Sequence, residues 1–148
     1  MKNNKKGFTL IELLVVIAII GLLSTLAVVS LNSARVKARN ARRMSDLKQI
    51  STAMELYYAD NEAYPTTVGA CANGIIAASD GGAMCAGYSI TNGTETYLAA
   101  MPDDPTTGSD YIYNAEASGY CIEATAMEGE DEFICNNGSC YTLAGGCP

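Results

Sequence analysis

The sequence predicts an α+β protein: a long N-terminal α-helix, membrane-spanning in its first half, packed against a small antiparallel β-sheet head. Three observations carry this reading. Leu13 to Leu31 holds no charge and no proline, close to the ~20 residues that take a helix across a bilayer core. Beyond it an apolar stripe continues at three- and four-residue spacing through Ala34, Ala38, Ala41, Met44, Leu47, Ile50, Met54 and Tyr57. After residue 110 come four short strand-like runs, the last two joined by Asn137-Gly138, a strong hairpin signal.

Within the apolar segment Glu12 is the one charged residue between Phe8 and Leu31. A carboxylate deep in lipid costs roughly 2.5 kcal/mol or more, so its presence there asks for a partner. The stretch Lys5-Lys6-Gly7-Phe8-Thr9-Leu10-Ile11-Glu12-Leu13 resembles the processing site of the type IV pilin superfamily, which includes the type II secretion pseudopilins. The resemblance implies a pilin-like fold. It implies that a prepilin peptidase cuts between Gly7 and Phe8 and methylates the new amino terminus. It also makes Glu12 the buried assembly residue, paired with the amino group of Phe8 in a neighbouring copy. On this reading residues 1–7 are a leader, 8–31 the transmembrane or filament-core half of the helix, and 32–60 its amphipathic second half. Residues 61–148 are the head. A secretory signal fits poorly, because the apolar run is too long and no small-x-small site follows it before the basic segment.

The helix is expected to end near Asp60-Asn61, ahead of Pro65. From Phe8 to Ala59 it would be roughly 78 Å long at 1.5 Å per residue. A small head cannot cover such a helix, so lipid first and sister copies later must bury its front half. Many members of the superfamily carry a proline late in the apolar segment; here Val28-Val29-Ser30 stand instead. Basic residues flank the span on both sides: Lys2, Lys5 and Lys6 before it, and Arg35, Lys37, Arg39, Arg42 and Arg43 after it. Counted alone, they point the carboxyl side to the cytoplasm. The processing motif and the cysteines point it outwards, and the head is expected there.

The six cysteines, Cys71, Cys85, Cys121, Cys135, Cys140 and Cys147, all lie beyond the span. An even count in that position fits disulfides in an oxidising compartment. With no CxxC pair and no histidine, a zinc site is disfavoured. Residues 66–93, rich in Gly, Ala, Ser and Asn, read as a surface loop closed by Cys71–Cys85, a bond worth roughly 3 kcal/mol in the loop-entropy picture. Thr94 reads as the cap of a short helix, Glu95 to Ala100. Strands are expected at about 110–115, 119–126, 131–136 and 139–143. A three-residue turn at 127–129 sets Cys121 opposite Cys135, and a two-residue turn at 137–138 sets Cys135 opposite Cys140. Cys121 and Cys140 are then two strand spacings apart, about 9.5 Å, too far to bond. Two pairings remain open: Cys121–Cys135 with Cys140–Cys147, or Cys135–Cys140 with Cys121–Cys147. The second ties the tail to the sheet.

All nine basic residues lie at or before Lys48, and all but Glu12 and Asp46 of the sixteen acids lie after it. An acidic head without Lys, Arg or His disfavours nucleic acid as its partner. The absence of histidine and of any phosphate-binding glycine loop argues against an enzyme. Two acid groups, Asp103, Asp104 and Asp110, and separately Glu128, Glu130, Asp131 and Glu132, are candidate calcium ligands by their hard oxygens. The Pro102-Asp103-Asp104-Pro105 element resembles one in major pseudopilins, where Trp-Gly commonly follows; here Thr106-Thr107-Gly108 follow. Asn92-Gly93-Thr94 and Asn137-Gly138-Ser139 match glycosylation sequons and read more simply as turns. The basic face (Arg35, Lys37, Arg39, Arg42, Arg43, Lys48) is read as facing either solvent and phospholipid, or the acidic heads of neighbouring copies.

The expected protein is a structural subunit of a type IV pilus-like or type II secretion pseudopilus filament. It starts as a single-pass protein of the cytoplasmic membrane and ends in a periplasmic or cell-surface fibre. Its implied partners are further copies of itself, the prepilin peptidase, an assembly platform protein and a motor ATPase. The competing reading is a membrane-tethered extracytoplasmic binding module that does not polymerise. Such a module would have no use for the Gly7-Phe8…Glu12 arrangement.

Overall fold

A computed structural model describes residues 7–65, 82–84, 87, 89–116, 119–129, 131–145 and 147. The chain divides into two compact units, Met1–Lys37 and Ala38–Pro148. Helix α1 (Leu10–Asn61) is unbroken and contributes to both. Its end at Asn61 is where the sequence places it.

From Leu13 to Leu31 the helix carries no charge on any side. Its large hydrophobic side chains from Phe8 to Leu31 are 45% to 80% exposed. The helix is long and apolar enough to cross a membrane, and none of its most apolar window is buried by the described residues. Val28-Val29-Ser30 does not interrupt it.

In the second unit five antiparallel strands form one sheet in the order β1-β4-β5-β6-β7. They are β1 (Gly82–Ala83), β4 (Tyr111–Glu116), β5 (Gly119–Ala124), β6 (Glu132–Asn136) and β7 (Ser139–Leu143). A separate pair joins β2 (Ile90–Thr91) to β3 (Thr96–Leu98). Leu47, Ile50, Ala53 and Met54 of α1 meet Tyr111, Tyr113, Tyr120, Ile122, Ala124, Phe133 and Cys135 of the sheet in one core.

Two local expectations are corrected. The stretch 66–93 is not all loop: residues 66–81 lie outside the described structure, but Gly82–Ala83 pairs with β4 and Ile90–Thr91 with β3. Cys71–Cys85 also lies outside the described residues. Thr94 caps no helix. Asn92 takes the turn instead, its Oδ1 accepting the N–H of Thr94 at 3.0 Å and of Glu95 at 2.8 Å. With Gly93 at φ +89° the chain reverses there, and β3 follows where a helix was expected.

The four C-terminal strands fall where the alternation places them, but one register differs by a residue. Asn137 and Gly138 are both left-handed, at φ 44° and 80°, and this tight turn sets Cys135 opposite Cys140. Between β5 and β6, however, Cys121 faces Asn136 and Ile122 faces Cys135. The cause is the connection. It runs from Ala124 to Glu132 because Glu128 at its tip is held by α1: Asn40 Nδ2 donates to the Glu128 carbonyl at 3.1 Å, and the Glu128 N–H donates to Asn40 Oδ1 at 3.2 Å. A one-residue shift puts Cys121 and Cys135 on opposite faces of the sheet. The structure joins Cys121 to Cys147 and Cys135 to Cys140. Cys135 belongs to the helix-facing core. Cys121 holds the tail on the other face, where the Cys147 N–H also donates to Glu123 Oε2 at 2.7 Å.

Tyrosine, rather than phenylalanine or leucine, fills much of this core. Each buried ring reaches a polar partner with its hydroxyl. Tyr111 donates to Asp46 Oδ2 at 2.8 Å and Tyr113 to the Pro65 carbonyl at 3.0 Å. The Tyr120 hydroxyl lies 2.8 Å from Ser51 Oγ and accepts the Gly138 N–H at 3.1 Å. Burial pushes all three phenols up, Tyr120 to about 12. A phenol near 10 in the unfolded chain and higher in the fold favours folding below pH 10 and loses that contribution as pH rises through the folded value. The head should therefore hold its stability to about pH 10 and unfold above it, with tyrosinate absorbance and loss of β-sheet circular dichroism rising together. Tyrosinate absorbance complete near pH 10 with the fold intact would contradict the burial.

Candidate assembly site

The chemistry of the N-terminal segment starts with its cap. Thr9 precedes the helix and Glu12 is its third residue, a spacing that forms a capping box. Glu12 Oε2 accepts from the Thr9 N–H at 2.9 Å and from Thr9 Oγ1 at 2.6 Å, while the Glu12 N–H donates to Thr9 Oγ1 at 3.3 Å. The motif Thr9-Leu10-Ile11-Glu12 shows this spacing in the sequence, and the reading centred on Glu12 as an assembly residue missed it. Only Oε2 is engaged; among the described residues Oε1 has no hydrogen-bond partner. Glu12 thus starts the helix while one of its carboxylate oxygens stays unengaged among the described residues.

Gly7 and Phe8 are exposed, Phe8 by 79%. A Cβ added at Gly7 would meet nothing within 4 Å, and its backbone is not left-handed. Nothing among the described residues requires glycine there.

The second constellation lies inside the head unit, where sequence periodicity gave no warning. Ala38 and Ala41, expected on the buried stripe, are exposed. The buried positions of those turns are Asn40 and Arg43, at 3% and 0% exposure. Arg43 was expected on an open basic face. Instead its Nε and Nη2 grip Asp104 at 2.7 and 3.0 Å, its Nη1 donates to Asn40 Oδ1 at 2.9 Å, and its Nη2 also donates to Thr106 Oγ1 at 2.6 Å. Arg39, a turn away and about one-third exposed, forms a two-pronged pair with Glu128 at 2.5 and 2.6 Å. The other cations of that face, Arg35, Lys37, Arg42 and Lys48, are exposed as expected; Arg42 makes a loose pair with Asp46 at 3.6 Å and Lys48 lies 5.9 Å from the centre of the Phe133 ring.

Of the calcium candidates, Asp104 is buried in this pair while Asp103 and Asp110 are exposed. Among the described residues no three acidic, cysteine or histidine side chains converge as an ion site would need.

An apolar helix that none of the described residues covers, begun by a capping carboxylate and followed by a helix-backed antiparallel head, defines a pilin-like α+β architecture. A family described as "Prokaryotic N-terminal methylation motif" matches residues 2–28, and one described as "Type II secretion system (T2SS), protein G" matches residues 30–132. The chain belongs to the type II secretion system protein G family. It is 32% identical to type II secretion system core protein G of Escherichia coli (strain K12) over 130 residues, 86% of each chain. It is 35% identical to the protein of that name from Klebsiella pneumoniae over 109 residues, 74% of each chain. The corresponding protein of Vibrio cholerae serotype O1 is 32% identical over 121 residues, covering 76% of this chain and 74% of the relative. No solved structure matches at comparable significance.

Burial pushes the Asp104 carboxyl up, but the Arg43 hydrogen bonds, the Thr106 N–H and the Arg43 charge outweigh it and hold the group below its ordinary value. A carboxyl lowered in the fold adds stability above the unfolded value of about 3.9 and loses it as pH falls further. Chemical denaturation of the solubilised chain should therefore show an acid loss below about pH 4. In Asp104→Asn the overall stability should be lower by about 3 kcal/mol, since Arg43 is left buried and unpaired, and the acid slope shallower. An unchanged slope would sink this assignment.

Proposed function

We propose that this chain is the structural subunit of a pseudopilus-like filament and polymerises through its N-terminal helix. The observation that carries the reading is the uncovered apolar surface from Phe8 to Leu31. At roughly 25 cal/mol per Å² of apolar area, such a surface is driven into lipid or against other copies. The role is mechanical rather than catalytic.

The chain begins as a single-pass membrane protein with its head outside the cytoplasm, where disulfides persist. Prepilin peptidase cuts after Gly7 and methylates Phe8. The new amino group on one copy then pairs with Glu12 of the next, whose Oε1 is open. A motor ATPase acting through a platform protein supplies the work of extraction from the membrane. Similarity to proteins named type II secretion system core protein G supports this reading.

Glu12→Ala should leave cleavage after Gly7 intact, seen by mass spectrometry of the mature N-terminus, yet reduce filament yield at least tenfold. Normal filament yield from that variant would remove the electrostatic part of the proposal.

Arg39 and Arg43 are consumed inside the head unit, so Arg35, Lys37, Arg42 and Lys48 are the cations left to meet a neighbour. From Gln49 onward the chain offers only acids among its charged side chains. Contacts between the two surfaces in adjacent copies should fade as the screening length shrinks from ~30 Å at 0.01 M to ~3 Å at 1 M salt. Filament assembly followed by sedimentation should weaken over that range, and salt-independent assembly would count against these contacts.

A further inference from the structure

In each of the two acid groups singled out as calcium candidates, one member is already paired with an arginine of the chain: Asp104 with Arg43 and Glu128 with Arg39. Asp104 has no free oxygen: Oδ2 takes Arg43 Nε, and Oδ1 takes both Arg43 Nη2 and the Thr106 N–H at 2.7 Å. Glu128 gives both oxygens to Arg39 and its carbonyl to Asn40, and Arg43 Nη1 stands 3.7 Å from Glu128 Oε1. Calcium takes six to eight oxygens at about 2.3–2.6 Å. To reach Asp104 it would have to expel a guanidinium that is wholly buried and leave that charge without a partner. Asp103 and Asp110 are exposed, and no third acid among the described residues stands beside them. Among the described residues, the acids do not assemble a calcium site; Glu130 lies outside them.

We infer that Arg43 is the resident cation of this head and that the head holds its structure independently of divalent metal. One planar guanidinium joins three segments distant in sequence: α1 through Asn40, the 104–106 turn through Asp104 and Thr106, and the 125–131 connection through Glu128. A bound ion would serve the same purpose, drawing acidic loops together against their mutual repulsion. Arginine does it with directional N–H donors and without equilibrium loss to solvent.

The test is thermal melting of the processed full-length chain in detergent, followed by circular dichroism, with millimolar calcium and with excess EGTA. The two midpoints should agree within about 1 °C, and calorimetric titration with calcium should show no saturable heat. A midpoint raised by calcium by more than about 5 °C would overturn the inference, as would a saturable binding heat. Arg43→Met should lower the midpoint by about 10 °C or more. Should that variant fail to fold, Arg43→Met with Asp104→Leu removes cation and anion together. It should regain most of the lost stability and remain indifferent to calcium; a pair no more stable than the single variant would refute the role given to Arg43. None of these readouts depends on polymerisation, so they stand or fall apart from the filament reading.

Discussion

Among the described residues nothing buries the apolar surface from Phe8 to Leu31, and the need to bury it organises everything else. A helix hydrophobic on every side is stable in lipid or inside a bundle and nowhere in water. Lipid satisfies it equally well at any rotation or depth and so sets no position. Glu12 breaks that indifference. In lipid its carboxylate is costly; on the proposed filament reading, a donor on another copy makes it a fixed point along the helix axis. The capping box shows how the isolated chain tolerates the group meanwhile, with Thr9 satisfying one oxygen and leaving the other. The same residue starts the helix and retains capacity to pair.

The head unit faces a different problem. Its acids far outnumber its bases, so its loops repel one another unless cations are placed among them. The only cations it has sit on the helix, because none follows Lys48. Arg39 and Arg43 therefore point their donors at Glu128 and Asp104, and the acidic loops close over the helix where these donors are. Downstream of this polar junction the helix turns apolar, and Leu47, Ile50 and Met54 meet the tyrosine-rich sheet.

Long-period features were legible in the sequence, and short-range geometry less so. The helix and its end at Asn61, the four C-terminal strands and the Asn137-Gly138 hairpin follow from periodicity and turn chemistry, which are local. The register between β5 and β6 is not local. It depends on Asn40, 88 residues away from Glu128, holding a turn that otherwise reads as a three-residue hairpin. Arg43 was illegible for a related reason: a stripe defined by apolar residues assigns an arginine to the solvent face, and only its partners in the 104–106 turn reverse that. The β2–β3 pair was lost because Thr94 fits a helix cap as well as it fits the end of an Asn92 turn.

A buried ion pair is seldom the most stable way to fill a space, since apolar residues of equal volume commonly do as well or better. Its use here is better understood through direction. Apolar contacts would let the 104–106 turn and the 125–131 connection slide on the helix, and a slide of one residue in that connection changes which face Cys135 presents. With Asn40 reading the Glu128 backbone and Arg43 reaching Asp104, Asn40 and Thr106 at once, the connection has one seat. That seat sets the β5–β6 register, and the register puts Cys135 on the helix-facing side, opposite the face on which Cys121 bonds Cys147. The polar junction on the helix therefore acts beyond its own contacts: by fixing the β5–β6 register it keeps Cys121 and Cys135 on opposite faces of the sheet.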